Sequence, residues 1–213
     1  MTIKPGEPWG EPRTTPHGLI IADDEVALAD AVANGQRDVA LRNGEMLRAL
    51  GNTGDKADNP HQRDFAPHPG DTALALPCDA YLVVLRRGAD EQRVVAVSTV
   101  IVGTFRAPCW WATSGGFVGP LNVSPRAHPN DGVIDTLEFT QPLSLRTLLA
   151  IRRRMRLGDH LPHPALTARR APQAQWQGPR PASVTIDGRR HGRFDAVTMT
   201  VRPDAFALWV AVQ

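Results

Sequence analysis

Beyond residue 80 the chain becomes a succession of short β-branched runs, each closed by a turn signal, and this pattern narrows the possible architectures more than any other feature. YLVVLRR at 81–87 and RVVAVSTVIVG at 93–103 flank GADEQ, as the arms of a hairpin would. VIDTLEF follows the turn HPNDG at 128–132, and ALTARRA, PASVTID, AVTMTVRP and AFALWVAV come later, with DGRRHG and Pro203–Asp204 as turns between them. Alternation at Val197, Met199 and Val201, and at Phe206, Leu208 and Val210, gives each strand one buried face. Many short strands joined by tight turns favour an antiparallel sandwich over a parallel α/β sheet. The expected fold is mainly β, of the α+β kind: an antiparallel β-sandwich with one inserted amphipathic helix and a short helical N-terminal arm. No internal repeat at a fixed period is present.

The inserted helix is read from SLRTLLAIRRRMRLG, with Ser144 as N-cap, Leu145, Leu148, Leu149, Ile151 and Met155 on one broad apolar face, and Gly158 as terminator. Ahead of the strands lies a different text. The first 18 residues hold four Pro and three Gly and predict an irregular arm. Asp23 and Asp24 can cap a helix over EVALADAVAN that Gly35 ends, and NGEMLRAL predicts a second short helix running into Gly51. Residues 52–69 are polar and broken and predict an exposed loop. The boundaries expected are therefore an arm over 1–70 and the sandwich domain over 71–213.

Hydrophobic residues at 42% and charged residues at 22% suit a globular chain with a real core and exclude a largely disordered one. No apolar run approaches the roughly 18 residues of a membrane span, and the N-terminus offers no secretion signal, which places the chain in the cytoplasm. Cys78 and Cys109 stand apart from each other and from any His at ligand spacing, so neither a disulfide framework nor a zinc site is expected. The net charge of +2 conceals an asymmetry: residues 1–70 hold 11 acids and 7 bases, residues 71–213 hold 11 acids and 17 bases. Arg152, Arg153 and Arg154, followed by Arg156, concentrate that excess and could meet phosphate, an anionic membrane or an acidic partner. Trp110, Trp111 and Phe117, set among glycines, could line an apolar cleft or rest on a membrane interface, or simply pack in the core. Nucleic acid is not an expected partner, because the net charge is small and no aromatics interleave with the arginines.

The run SPRAHPNDGVIDTLEFTQPLSLRTLLAIRRRMRLGDHLPHP resembles a segment of bacterial diacylglycerol and sphingoid-base kinases that reads "A-x-P-D-D-G-x-L-D", a strand, a Leu/Arg-rich helix, "G-x-H" and "H-P". VTIDGRRHGRF resembles the same family's "D-G-E" hairpin, and the two matches together cover about residues 75–213. The resemblance implies the C-terminal β-sandwich of a lipid kinase. In such kinases an N-terminal α/β lobe holds the nucleotide on a "G-G-D-G-T" turn, whose backbone N–H groups can face phosphates. The nearest stretch here, Arg42-Asn43-Gly44-Glu45, does not reproduce it, and about 75 residues ahead of the sandwich are too few for a complete lobe. The resemblance implies a hairpin acid near the catalytic centre, but Arg189 stands where the family has that Glu and a guanidinium cannot accept a proton, which leaves Asp187 as a candidate catalytic acid or as the first residue of an ordinary turn. It also implies a structural Mg2+ in the HPNDG turn, held by the Asp131 carboxylate and the carbonyls of His128 and Val133.

No cofactor is required on this reading, and that Mg2+ would be structural only. The function expected is a non-catalytic, lipid-kinase-like protein that binds a lipid or a protein partner through the sandwich, peripheral at a membrane if Arg152–Arg154 engage anionic lipid. The alternative is the acceptor side of a lipid kinase that phosphorylates a lipid hydroxyl with ATP, its nucleotide lobe supplied by another chain. Pairing of two copies through strand edges stays open, and the arm is expected to cover the sandwich face that a lobe would cover, with Leu19, Ile20 and Ile21 shielding apolar surface.

Overall fold

The computed structural model describes residues 8–50, 65–104 and 106–212. Most of the expected polar loop at 52–69, the Gly51 helix stop and the first seven residues of the arm lie outside the described residues.

Two long strands form the spine. β4 (Thr72–Arg87) and β13 (Arg189–Ala211) pair antiparallel from Arg86↔Ala196 to Ala73↔Ala211. Around them the sheet runs β1 (Glu11–Thr14), β4, β13, β12 (Gln173–Ile186), β6 (Thr99–Gly103), β7 (Pro108–Thr113), β10 (Ile134–Phe139) and β11 (Leu166–Ala171). β5 (Asp90–Ala96) joins β4 through a two-residue turn at Gly88 and Ala89. A small hairpin, β8 (Phe117–Val118) and β9 (Leu121–Asn122), stands apart. The sheet folds over a core of Tyr81, Val83, Leu85, Val100, Val102, Trp110, Ile134, Val184, Ile186, Val197 and Met199. These are the inward positions of period-2 strands, so the mainly antiparallel sandwich expected from the sequence is what forms.

The segment expected as a loose arm is instead built into the sheet. β1 pairs with β4, and β2 (Ile20–Ala22) pairs in parallel with β3 (Asp38–Leu41), which pairs in parallel with the end of β13. α1 (Glu25–Ala33) links β2 to β3, and Asp24 caps it by accepting from the Ala27 N–H at 2.9 Å. α2 (Glu45–Ala49) follows β3. Leu28, Val39, Leu41, Met46 and Leu47 bury themselves against Leu76, Cys78, Phe206 and Leu208. Each such side chain contributes about 1.5–3 kcal/mol by leaving water, which is ample to fix this unit on the spine. Ile20 and Ile21, expected to shield the sandwich, keep 39% of their surface exposed; Ala22 and Leu28 do the covering.

Two further expectations change. Pro203–Asp204 is no turn between strands but a bulge inside β13, where Asp204 adopts φ +50° and pairing with β4 resumes at Phe206. The apolar face of α3 (Leu145–Met155), capped by Ser144 as expected, is also rotated. Leu148, Ile151, Arg152 and Met155 are buried, while Leu145 and Leu149 remain 55% and 51% exposed.

Candidate functional site

Asp187 and Gly188 form the two-residue β12–β13 turn, with φ +49° and +87°, the left-handed pair that a tight hairpin requires. Asp and Gly are the residues that tolerate it. The Asp187 carboxylate turns inward and accepts three backbone N–H bonds, from Val97 at 2.8 Å, Ser98 at 2.9 Å and Thr99 at 2.7 Å. These donors lie where β5 gives way to β6, so the acid pins one turn to another. Burial pushes Asp187 up to about 7, against the pull of those three donors. Arg189 forks onto Asp30 of α1, with N···O distances of 2.9 and 2.7 Å.

The neighbouring acids were missed in the sequence. Glu25 is buried, and its Oε1 accepts the Met46 N–H at 3.1 Å. Burial, then the adjacent Glu45, push Glu25 up to about 8. Glu45 in turn accepts the Gly119 N–H at 3.1 Å. Gly44 is obligatory here, because a Cβ would lie 2.0 Å from Glu25 Oε1 and φ is +148°. An acid in the first turn of a helix reads as solvent-facing. Nothing local announces that this one faces a second helix.

The HPNDG turn is organised by another unanticipated residue, Asp79. Its buried carboxylate accepts from Gly132 N–H at 2.8 Å, Asn130 Nδ2 at 3.2 Å and Asp204 N–H at 3.0 Å. His128 stacks edge-on against Trp9 at 4.5 Å. Asp131 accepts the Val133 N–H at 3.2 Å and pairs with Arg170, whose Nε also lies 3.2 Å from Asp135. Burial pushes the Asp131 carboxyl up, against the pull of Val133 and Arg170. The donor set expected for Mg2+, Asp131 with the His128 and Val133 carbonyls, does not fit a metal. Its one carboxylate is committed to an N–H and a guanidinium, and Arg170 already supplies the cation.

The open site lies elsewhere, in a cleft of about 900 Å³ between α3 and the sheet. Ile101, Trp111, Val118 and Leu121 make an apolar floor, and Leu149 a wall. Arg152 and Arg153 come from α3, Arg156 from its C-cap, and Arg190 and Arg193 from β13. The Arg152 guanidinium sits 5.8 Å from the Trp111 ring centroid, within cation–π range. Arg152, Arg153 and Trp111 are thus brought together as candidate binding residues. Arg154 is not; it lies 3.6 Å from Asp159. Trp110, adjacent to Trp111 on a strand, points to the opposite face and packs in the core. Phe117 lines a separate cavity beside Trp9 and His128. Arg190 lies in the DGRRHG turn and Arg193 just after it, and no sequence spacing joins them to a helix over 30 residues earlier.

A mainly antiparallel sheet with one helix over a cleft is the architecture of a β-sandwich-like domain. Residues 92–210 match the family described as the YegS C-terminal NAD kinase beta sandwich-like domain, and the chain belongs to it. No curated protein matches the chain. Among solved structures it is similar to a diacylglycerol kinase of Bacillus anthracis str. Sterne at 12% identity, over 89% of this chain and 75% of that one, with a TM-score of 0.49. Yeast NADH kinase complexed with NADH matches at 11% identity over 94% of this chain and 62% of its own, with a TM-score of 0.43. Another Bacillus anthracis protein, described as a candidate diacylglycerol kinase, matches 61% of this chain at 11% identity and a TM-score of 0.36. The chain spans only 38% of that relative's length. No helix among the described residues is long and apolar enough to cross a membrane.

Proposed function

We propose that this chain is a lipid-kinase-like binding module, which holds a lipid between α3 and the sheet and does not itself transfer phosphate. The observation that carries the reading is the cleft, whose apolar floor and polar rim have the make-up of a small-molecule site and whose volume falls near the top of the usual range, about 300–1,000 Å³. The non-catalytic part of the reading rests on the hairpin. Both Asp187 oxygens are taken by backbone donors, and Arg189 is taken by Asp30 of α1. The test is organic extraction of the purified chain followed by mass spectrometry, paired with thermal unfolding in the presence of ATP and Mg2+. A co-purifying lipid without stabilisation by nucleotide is the expected result. The alternative, an acceptor-side subunit of a lipid kinase, requires ATP-dependent phosphorylation of a lipid hydroxyl once a nucleotide-binding partner is added.

A further inference from the structure

The reading of the cleft as a lipid site, on which this inference rests, leaves the headgroup open. We infer that the ligand is a lipid phosphate monoester drawn from a membrane, with its phosphate among the arginines and its acyl chain on the apolar floor, and that neutral glycerides are not bound.

The argument begins with charge. Five guanidiniums from two separate elements, α3 and β13, converge on one cleft, and no lining residue is acidic. Arg153, Arg156, Arg190 and Arg193 have no carboxylate within ion-pair distance among the described residues. Like charges gathered there repel one another until an anion enters, and a glyceride hydroxyl brings no charge to relieve them. A phosphate monoester carries close to two negative charges at neutral pH and accepts the planar forks of several arginines at once. Arg152 adds a fixed member to the set, since it is 7% exposed and held over Trp111.

The second observation selects the source. Leu145, Leu149 and Leu157 project outward beside these arginines, 55%, 51% and 82% exposed, and Leu149 also walls the cleft. Exposed leucines alternating with Arg146, Arg153 and Arg156 make an interfacial helix, apolar side chains at acyl level and bases at phosphate level. Free phosphate would have no use for that edge or for the floor.

Isothermal titration of the purified chain with three probes tests the inference: dioctanoyl phosphatidic acid, dioctanoylglycerol and inorganic phosphate. The phosphatidic acid is expected to bind, to weaken as salt is raised, and to bind about 30-fold more weakly to the Arg153→Ser/Arg156→Ser variant, at about fivefold for each base removed. Arg154→Ser, on the same helix but outside the cleft, should change affinity less than twofold. If dioctanoylglycerol binds as tightly as the phosphatidic acid, and the double variant does not discriminate, the headgroup assignment is wrong while the lipid reading stands. Inorganic phosphate binding as tightly as phosphatidic acid removes the acyl chain from the account. Heat from none of the three overturns the lipid reading and this inference together.

Discussion

The hairpin at Asp187 and the cleft under α3 treat charge in opposite ways. At the hairpin the groups named find partners within the chain: three amides for Asp187, a guanidinium for Asp30 and the Met46 amide for Glu25. At the cleft, arginines from two elements share one opening, and none of its described lining residues is acidic. A region whose charges are matched internally has been spent on stability. A region of unmatched like charge costs stability, and persists where something outside the chain completes it.

That contrast can be broken by substitution. The largest effect is expected at Asp187. Asp187→Asn keeps a residue that tolerates positive φ but sets an amide donor against one of three buried N–H groups. It should cost about 3 kcal/mol, read as a lower urea midpoint with unchanged slope. A smaller loss would mean that the hairpin is solvated and not internally matched.

The pH dependence of stability comes next. Glu25 keeps its proton in the folded chain up to about 8, whereas in the unfolded chain it is lost near 4.5. Between those values the folded state binds the extra proton, so stability is full below the lower value and falls as pH rises through the upper one. Asp187, raised to about 7, acts in the same direction. Unfolding midpoints should therefore drop steadily between pH 5 and 8. Glu25→Gln, which stays neutral throughout, should flatten most of that slope; an unchanged slope would show that Glu25 is ionised in the folded chain.

Arg170→Met should then cost about 2 kcal/mol by leaving Asp131 and Asp135 facing each other in a half-buried turn. Removing divalent cations with EDTA should leave the melting temperature of the unaltered chain where it was. A fall on chelation would restore the metal to the HPNDG turn. The smallest effect belongs to the cleft: Arg153→Ser and Arg156→Ser should shift stability by less than about 0.5 kcal/mol in the absence of ligand. A larger loss would mean that these arginines serve the fold, and the contrast between the two regions would fail.

How much of this was legible follows from the range over which each feature acts. α1 was read with its cap and its Gly35 stop because Asp24, Ala27 and Gly35 interact within one or two turns of chain. The Ser144 cap of α3 was read for the same reason. The strands after residue 80 were read because β-branched alternation is local. Pro203–Asp204 misled: a Pro and an αL Asp break a strand in most contexts, but here Asp79, 125 positions away, receives the Asp204 N–H and holds the bulge in place. The arm misled because three- and four-residue strands carry almost no periodic signal, and β1, β2 and β3 become strands only through β4 and β13. At the candidate site, Arg152, Arg153 and Trp111 could be suspected one by one. Their meeting with Arg190 and Arg193 could not.

Local pattern was therefore enough to establish a mainly β chain with one amphipathic helix, an arginine-rich stretch on that helix, and an arginine in place of the hairpin acid. Short-range hydrogen bonding and side-chain alternation express those properties directly, wherever the chain goes. Which acids are buried, which arginines share a cleft and which apolar side chains face outward emerged only once β4 and β13 had brought distant segments into register. Burial and charge pairing are properties of neighbourhoods in space, and a one-dimensional text carries them only when the neighbours are also close along it.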